Sequence, residues 1–244
     1  PILLRLDLAI FLLHLTMVSL FVVLPLSVES AGLAAVDHWQ LYLPVILLAI
    51  LAMVPFVVLA ERQGLVRPVL LGSVVMLGLA MLGLHAFDHS LWALAMLLVA
   101  VFAIFNLMEA VLPSLVSKAA RAGARGTAMG IFSSAQFIGA FLGGLLGGWT
   151  HQQFGTDAVY LVGALTSLIW FGLMATMPMP ENLTRHVLAL ATPPRDDAPG
   201  LEQLLLDVPG VKEAVIALDE GVAYLKVDSR QIDWARLQTF AAST

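Results

Sequence analysis

The run LWALAMLLVAVFAIFNLMEAVLP (91–113), the polar break SLVSKAARAGARG (114–126) and the run TAMGIFSSAQFIGAFLGGLLGGW (127–149) decide the fold. Each apolar run exceeds the roughly 20 residues, at about 1.5 Å apiece, that a helix needs to cross a bilayer core of about 30 Å. Neither carries the polar stripe of a helix lying on a soluble core. Four further runs of this kind, at 6–28, 39–60, 69–87 and 158–177, bring the predicted membrane spans to six.

Composition points the same way. Hydrophobic residues make up 60% of the chain and charged ones 12%, and the mean hydropathy is +0.93, far above an ordinary globular domain. The net charge of −5 arises from 17 acidic and 12 basic residues, many of them after Pro180, and no basic patch points to nucleic acid. With 0 Cys there are no disulfides, thiolate metal sites or cysteine nucleophiles. The 6 His are scattered and form no metal-ligand spacing, so neither metal nor cofactor is expected. The spans hold no GxSG nucleophile motif and no paired metal ligands, which argues against an intramembrane enzyme. The chain opens at Pro1 in PILLRLD, without a basic segment and cleavage site. It is read as lacking a signal peptide and as a fragment of something longer.

Lys and Arg orient the bundle, because cytoplasmic loops retain them. Arg5 precedes the first span, Arg62 and Arg67 lie in the second loop, Lys118, Arg121 and Arg125 in the fourth, and Arg185 and Arg195 after the sixth. The first, third and fifth loops have none. Both ends of the chain are therefore predicted in the cytoplasm, with Trp39, Trp92 and Trp149 as anchors near the outer surface. In the fifth span, Gly139, Gly143 and Gly147 share one face with Gly144 and Gly148 beside it, which predicts a close helix crossing. Pro44, Pro55 and Pro113 predict local kinks.

After Met177 the chain turns to proline and charge, giving a linker at 180–185 and a separate unit at 186–244. HVLALA, VKEAVIAL and VAYLKVD read as strands, LEQLLLDV and IDWARLQTF as helices, with a turn at Asp219-Glu220-Gly221 and a break at Gly210. This βαββα unit is small for an independent core. Alternation along its strands predicts that Val211, Val215 and Leu225 are buried.

The fourth and fifth spans with the loop between them (105–148) resemble the C-terminal half of a major facilitator superfamily transporter. That superfamily's cytoplasmic loop pattern, Asp-Arg-x-Gly-Arg-Lys preceded by a Gly, is echoed as Glu61-Arg62-Gln63-Gly64 with Arg67 further on. Leu65 and Val66 occupy the places of the two basic residues and Val57 that of the preceding Gly. Six spans and a βαββα tail make the chain similar to the YajR-like subgroup, whose tail is a ferredoxin-like module called the YAM domain. The resemblance implies a mainly α fold, a six-transmembrane-helix bundle that is the C-terminal half of an MFS fold, plus a small α/β ferredoxin-like tail. It implies six more helices in an N-terminal half absent from this chain, an unknown small-molecule substrate, and alternating access around a midplane site in a bacterial inner membrane. The tail also resembles heavy-metal-associated domains in outline, but without Cys it has no CxxC loop.

In that superfamily the first, second, fourth and fifth helices of each half line the cavity. In this chain those spans carry His14, Thr16, Asn106, Glu109, Ser133, Ser134 and Gln136. An intramembrane carboxylate is costly, so Glu109 is either a proton or substrate group or a structural hydrogen-bond partner near the inner surface. Counting from the cytoplasmic ends, His14, Glu109 and Gln136 lie about 12–13 Å deep and Asn106 about 16 Å. His14, Asn106, Glu109 and Gln136 are therefore predicted to share a polar layer, with Phe102, Asn106, Glu109 and Pro113 on one face of the fourth span. Glu61 and Arg62 read as a loop latch or as ordinary topological charges, and Arg67 as the latter.

Two functions follow from this reading. The first is proton-coupled export of small molecules by a secondary transporter. The alternative is a membrane-anchored ligand-sensing or regulatory protein acting through its soluble tail.

Overall fold

Six apolar runs fold as six long helices: α1 (Ile2–Ser30), α2 (His38–Glu61), α3 (Val66–Phe87), α4 (Leu91–Ala119), α5 (Arg125–Phe154) and α6 (Thr156–Ala175). All six are long and apolar enough to cross a membrane, so the chain is a multi-pass membrane protein. This computed structural model describes residues 2–121, 123–178, 184–190, 198–217, 220–228 and 231–241. The helices outrun the apolar stretches because polar ends such as Arg5 and His151 continue the helical hydrogen-bond ladder into the interface, where water is again available. The helices run through Pro25, Pro44, Pro55 and Pro113 without interruption. Thr166 and Ser167 donate their hydroxyls to the carbonyls one turn back, Val162 at 2.8 Å and Gly163 at 2.9 Å, and so need no partner elsewhere in an apolar medium.

Two compact units are present. One comprises Pro1–Val116 with Gly130–Met179, and the other Ser117–Met129 with Pro180–Thr244. The sequence division at 179 does not provide for the second unit taking in residues 117–129.

Within the bundle, α5 lies directly on α1. A Cβ added at Gly139 would sit 2.3 Å from the Phe11 carbonyl oxygen, one at Gly143 2.5 Å from that of Leu15, and one at Gly147 2.7 Å from Ser19 Cα. Only hydrogen at these positions lets the two backbones approach so closely. Ser19 Oγ donates to the Gly143 carbonyl at 2.8 Å across the same crossing. Gly144 has ordinary clearance, with Val18 Cγ1 at 3.6 Å, and Gly148 has nothing within 4 Å, so the crossing uses one glycine face and not its flank. Gly78 of α3 meets Ser167 of α6, and Gly163 of α6 meets Met81 of α3 and Thr16 of α1. Thr16 thus faces the packed interior.

The tail consists of β1 (Thr184–Ala189), α7 (Ala198–Leu206), β2 (Val211–Ala217), β3 (Val222–Val227) and α8 (Trp234–Gln238). Its antiparallel sheet has the order β1-β3-β2. β1 begins at Thr184, inside the stretch read as linker; Ala191 and Asp219 lie outside the described residues. Leu188, Leu205, Ala214, Ala223, Leu225 and Leu237 form the core. Val211 and Leu225 are buried, but Val215 is 37% exposed, contrary to the alternation read from sequence. The register shifts between Val211 and Glu213, so Lys212 is an extra residue in the ladder and parity changes after it. Ala214 takes the inward position that simple alternation assigns to Val215.

Gly210, before β2, has φ +88°, and a Cβ there would meet Ile232 Cα at 2.4 Å. Its carbonyl accepts from Asp228 N at 2.8 Å. Gly210→Ala is expected to destabilise the tail by more than about 1 kcal/mol, read as faster protease cleavage of the tail in the intact protein. Unchanged protection would contradict this close approach.

The Tyr224 hydroxyl donates to Glu220 Oε2 at 2.5 Å. That hydrogen bond, then the carboxylate's charge, hold the phenol neutral and raise its pKa above the ordinary tyrosine value. The associated stabilisation is present below the unfolded tyrosine pKa and is lost as pH rises through the folded one. In ring-labelled protein, Tyr224 should ionise later than a free tyrosine and move back down in Glu220→Gln. Identical titration with and without Glu220 would refute the assignment.

Candidate functional site

His14 is placed by α1, and its protonation pattern follows from its neighbours. Nδ1 lies 3.2 Å from the carbonyl oxygen of Ile10, one turn back. A carbonyl only accepts, so Nδ1 carries hydrogen and Nε2 of the neutral ring is an acceptor. Gln136 of α5 meets that acceptor through its amide nitrogen at 3.0 Å. Glu109 of α4 brings Oε1 to 3.6 Å from the same Nε2, and that oxygen is buried without a hydrogen bond. The His14 side chain is 12% exposed and that of Glu109 32%, so the pair is sheltered but not sealed.

Two acceptors therefore face each other across 3.6 Å. With neither protonated, lone pair opposes lone pair. A proton on the carboxyl, or on Nε2, turns that opposition into attraction, and rotating the Gln136 amide offers oxygen in place of nitrogen when Nε2 carries the proton. The three side chains can hold a proton in more than one place with little movement of the helices.

Aromatic rings close the seam beyond them. Phe105 packs edge-on against His14 with centroids 5.4 Å apart, and Phe21 meets Phe102 at 5.7 Å. His14 to Phe21 is seven residues along α1, and Glu109 to Phe102 is seven back along α4, so the helices run antiparallel with an aromatic layer two turns from the polar one.

Asn106 does not join the group. Its amide donates to the Phe102 carbonyl of its own helix at 2.8 Å, and Ser134 likewise bonds Gly130 at 2.9 Å. In the loop motif, Gly64 takes φ +71°, which only glycine adopts freely, and Leu65 N reaches back to the Leu59 carbonyl at 3.1 Å. Arg67 does more than mark topology: its guanidinium donates to the carbonyl of Ala175, the last residue of α6, at 2.7 Å. A cation there satisfies an orphan carbonyl and complements the negative end of the helix.

Sequence reading missed a second tie at the opposite end of the bundle, where Ser27 and Tyr160 hydroxyls lie 2.6 Å apart in a buried bond between α1 and α6. Hydroxyls of that kind have no distinguishing pattern. His85 and Asp157 approach to 3.6 Å at the same end. A cavity of about 520 Å³ lies among α2, α3 and α4, lined by apolar side chains such as Phe56, Val69, Met76 and Met96 with Ser73. None of His14, Glu109 and Gln136 lines it, so it is not the cavity of this site. Among the described residues, no group of three or more His, Asp or Glu could hold a metal ion.

Comparison with known proteins fits this architecture. The model of the Major Facilitator Superfamily matches residues 6–213, and that of the YajR YAM domain residues 189–241. The inner membrane transport protein YajR of Escherichia coli (strain K12) is 38% identical over 231 residues, 94% of this chain and 50% of that protein. An uncharacterized transporter of Buchnera aphidicola subsp. Baizongia pistaciae (strain Bp) is 24% identical over 174 residues, 68% of this chain and 43% of its own length. Another, from Buchnera aphidicola subsp. Schizaphis graminum (strain Sg), is 29% identical over 168 residues with the same two shares, 68% and 43%. The chain thus spans about half the length, or less, of these curated relatives. A family match along most of the chain, six membrane-spanning helices and a sheet-and-helix tail lead to one assignment: the chain belongs to the major facilitator superfamily, as a YajR-like member with a YAM domain.

Proposed function

We propose that this chain is the second half of a proton-coupled secondary transporter that exports small molecules from a bacterium by alternating access. Its membrane is the inner one, and both ends of this chain lie in the cytoplasm. The observation that carries the reading is the separation of 3.6 Å between His14 Nε2 and Glu109 Oε1, two sheltered acceptors on different helices. Protonation draws α1 and α4 together through this pair, and deprotonation releases them. A proton taken from one side in one conformation and lost to the other side in the next would couple its gradient to the rocking of two halves. The half-length match supports a partner half, and so do the open faces of α2 and α5, where Leu47, Leu51, Phe137 and Phe141 are exposed. Arg62 and Arg67, at the loop shared by α2 and α3, support the orientation. Arg67 ties that loop to α6, so the loop motif acts as a latch on the cytoplasmic side.

The test is to compare what cells with and without the full-length protein lose to the medium, before and after a protonophore. At least one small molecule should leave in a gradient-dependent way and persist when the tail is deleted. No difference in any exported compound would count against transport. A difference that vanishes with the tail alone would favour the regulatory reading.

A further inference from the structure

We propose that Asp7 is the proton acceptor on the cytoplasmic side of the His14–Glu109 pair, receiving from and returning to it a proton through water along one face of α1. This inference rests on the proton-coupled reading of that pair.

Asp7 and His14 are seven residues apart on one continuous helix, hence on the same face and about 10 Å apart along the axis. Phe21, seven residues further, continues the stripe and is 49% exposed, and Asp7, Phe11, His14 and Val18 along it are partly exposed. Asp7 itself is half-buried. Its Oδ1 is shut off from solvent and has no hydrogen-bond partner among the described residues. Among the described residues of the bundle unit, no hydrogen bond or ion pair joins Asp7 to Arg5, His14, Arg62, Arg67 or Glu109; Glu61 is the other charged side chain of the cytoplasmic half. Arg5 is two residues away, on a different side of the helix, and its Nη1 is itself buried without a partner. A sheltered carboxylate oxygen that neither caps, pairs nor bonds contributes nothing visible to the fold, and such groups in membrane segments mark ion and proton pathways.

The step balances simply. A hydronium in the cytoplasmic vestibule gives its proton to the Asp7 carboxylate, one O–H bond forming as one breaks. The Asp7 carboxyl then passes a proton to an adjoining water, which delivers it to Glu109 or to Nε2 of His14, and Asp7 is a carboxylate again. Release of the proton to the cytoplasm runs the same bonds in reverse. Phe105 and the pair Phe21–Phe102 lie on the other side of the polar group, away from Asp7.

The experiment uses the full-length protein in inverted vesicles, with protons released from an impermeant photolabile sulfate on the exposed cytoplasmic face. The readout is the carboxyl C=O band that Glu109→Gln removes, followed by time-resolved infrared spectroscopy. Asp7→Asn should slow protonation of Glu109 at least about tenfold and leave the equilibrium midpoint of that band unchanged. Asp7→Glu should restore the rate. An unchanged rate in Asp7→Asn overturns the proposal, as does a shifted midpoint without slowing, which would make Asp7 only an electrostatic neighbour. Loss of folded protein in both variants also overturns it, in favour of a structural contact. The absence of any Glu109 band in the parent protein would instead defeat the proton-coupled reading, and this inference with it.

Discussion

Glu109→Gln in the full-length transporter is expected to abolish the dependence of transport on pH while leaving the protein folded. The glutamine amide is nearly isosteric with the carboxyl and can donate to His14 Nε2, so the contact between α4 and α1 at 3.6 Å survives in a permanently joined form. What disappears is the exchangeable proton. The gradient-driven component of flux should fall by about two orders of magnitude, the scale on which removing a positioned proton carrier usually acts. Flux driven only by the substrate's own gradient should persist, because in the proposed cycle the substrate needs no more than the two-state rocking of the halves. Gradient-driven transport in Glu109→Gln with an unaltered pH profile would dismiss the pair as the coupling site.

Much of this arrangement was legible in the sequence, and the shortfalls have specific causes. Span length is set by bilayer thickness, so six apolar runs yielded six helices, with errors confined to ends such as Ile2 and Ala119, where helix continues past the apolar text. Depth is a linear count, which is why the sequence alone assigns His14, Glu109 and Gln136 to one layer. Counting says nothing about bonding, however. Asn106 shares a face with Glu109 but turns its amide to Phe102 on its own helix. Asp7 escaped notice because a carboxylate near the start of a span reads as interfacial charge, and only the shelter of its Oδ1 separates it from one. In the tail, Val215 was misjudged because the bulge after Val211 depends on how β2 pairs with β3, a long-range fact that alternation along one strand does not contain. Arg67 was undervalued for a related reason, since its partner, Ala175, lies at the end of α6.

Gly143→Leu is expected to remove most of the folded protein, and the neighbouring glycine supplies the control. At Gly143 the first added carbon would lie 2.5 Å from the Leu15 carbonyl oxygen and 2.9 Å from Leu15 Cα. Both are backbone atoms of α1, so no rotamer change can relieve the clash and the helices must separate. Separation would also break the bond from Ser19 Oγ to the Gly143 carbonyl and pull Gln136, on the same helix, away from His14. Overpacking in a tight interior typically costs about 1–3 kcal/mol, and a whole leucine against backbone belongs at or beyond the top of that range. Without a hydrophobic effect between helices in lipid, close packing is the main source of their association, so little remains to offset the loss. Even Gly143→Ala should lower the melting temperature of the purified protein. At Gly144 the added carbon would meet only Val18 Cγ1 at 3.6 Å, an ordinary contact, so Gly144→Ala should be tolerated. Equal yields and melting temperatures for Gly143→Ala and Gly144→Ala would mean that α5 does not lie on α1 through this face. The selective loss at Gly143, with Gln136 drawn off His14, would tie the proposed proton site to the glycine crossing that holds it.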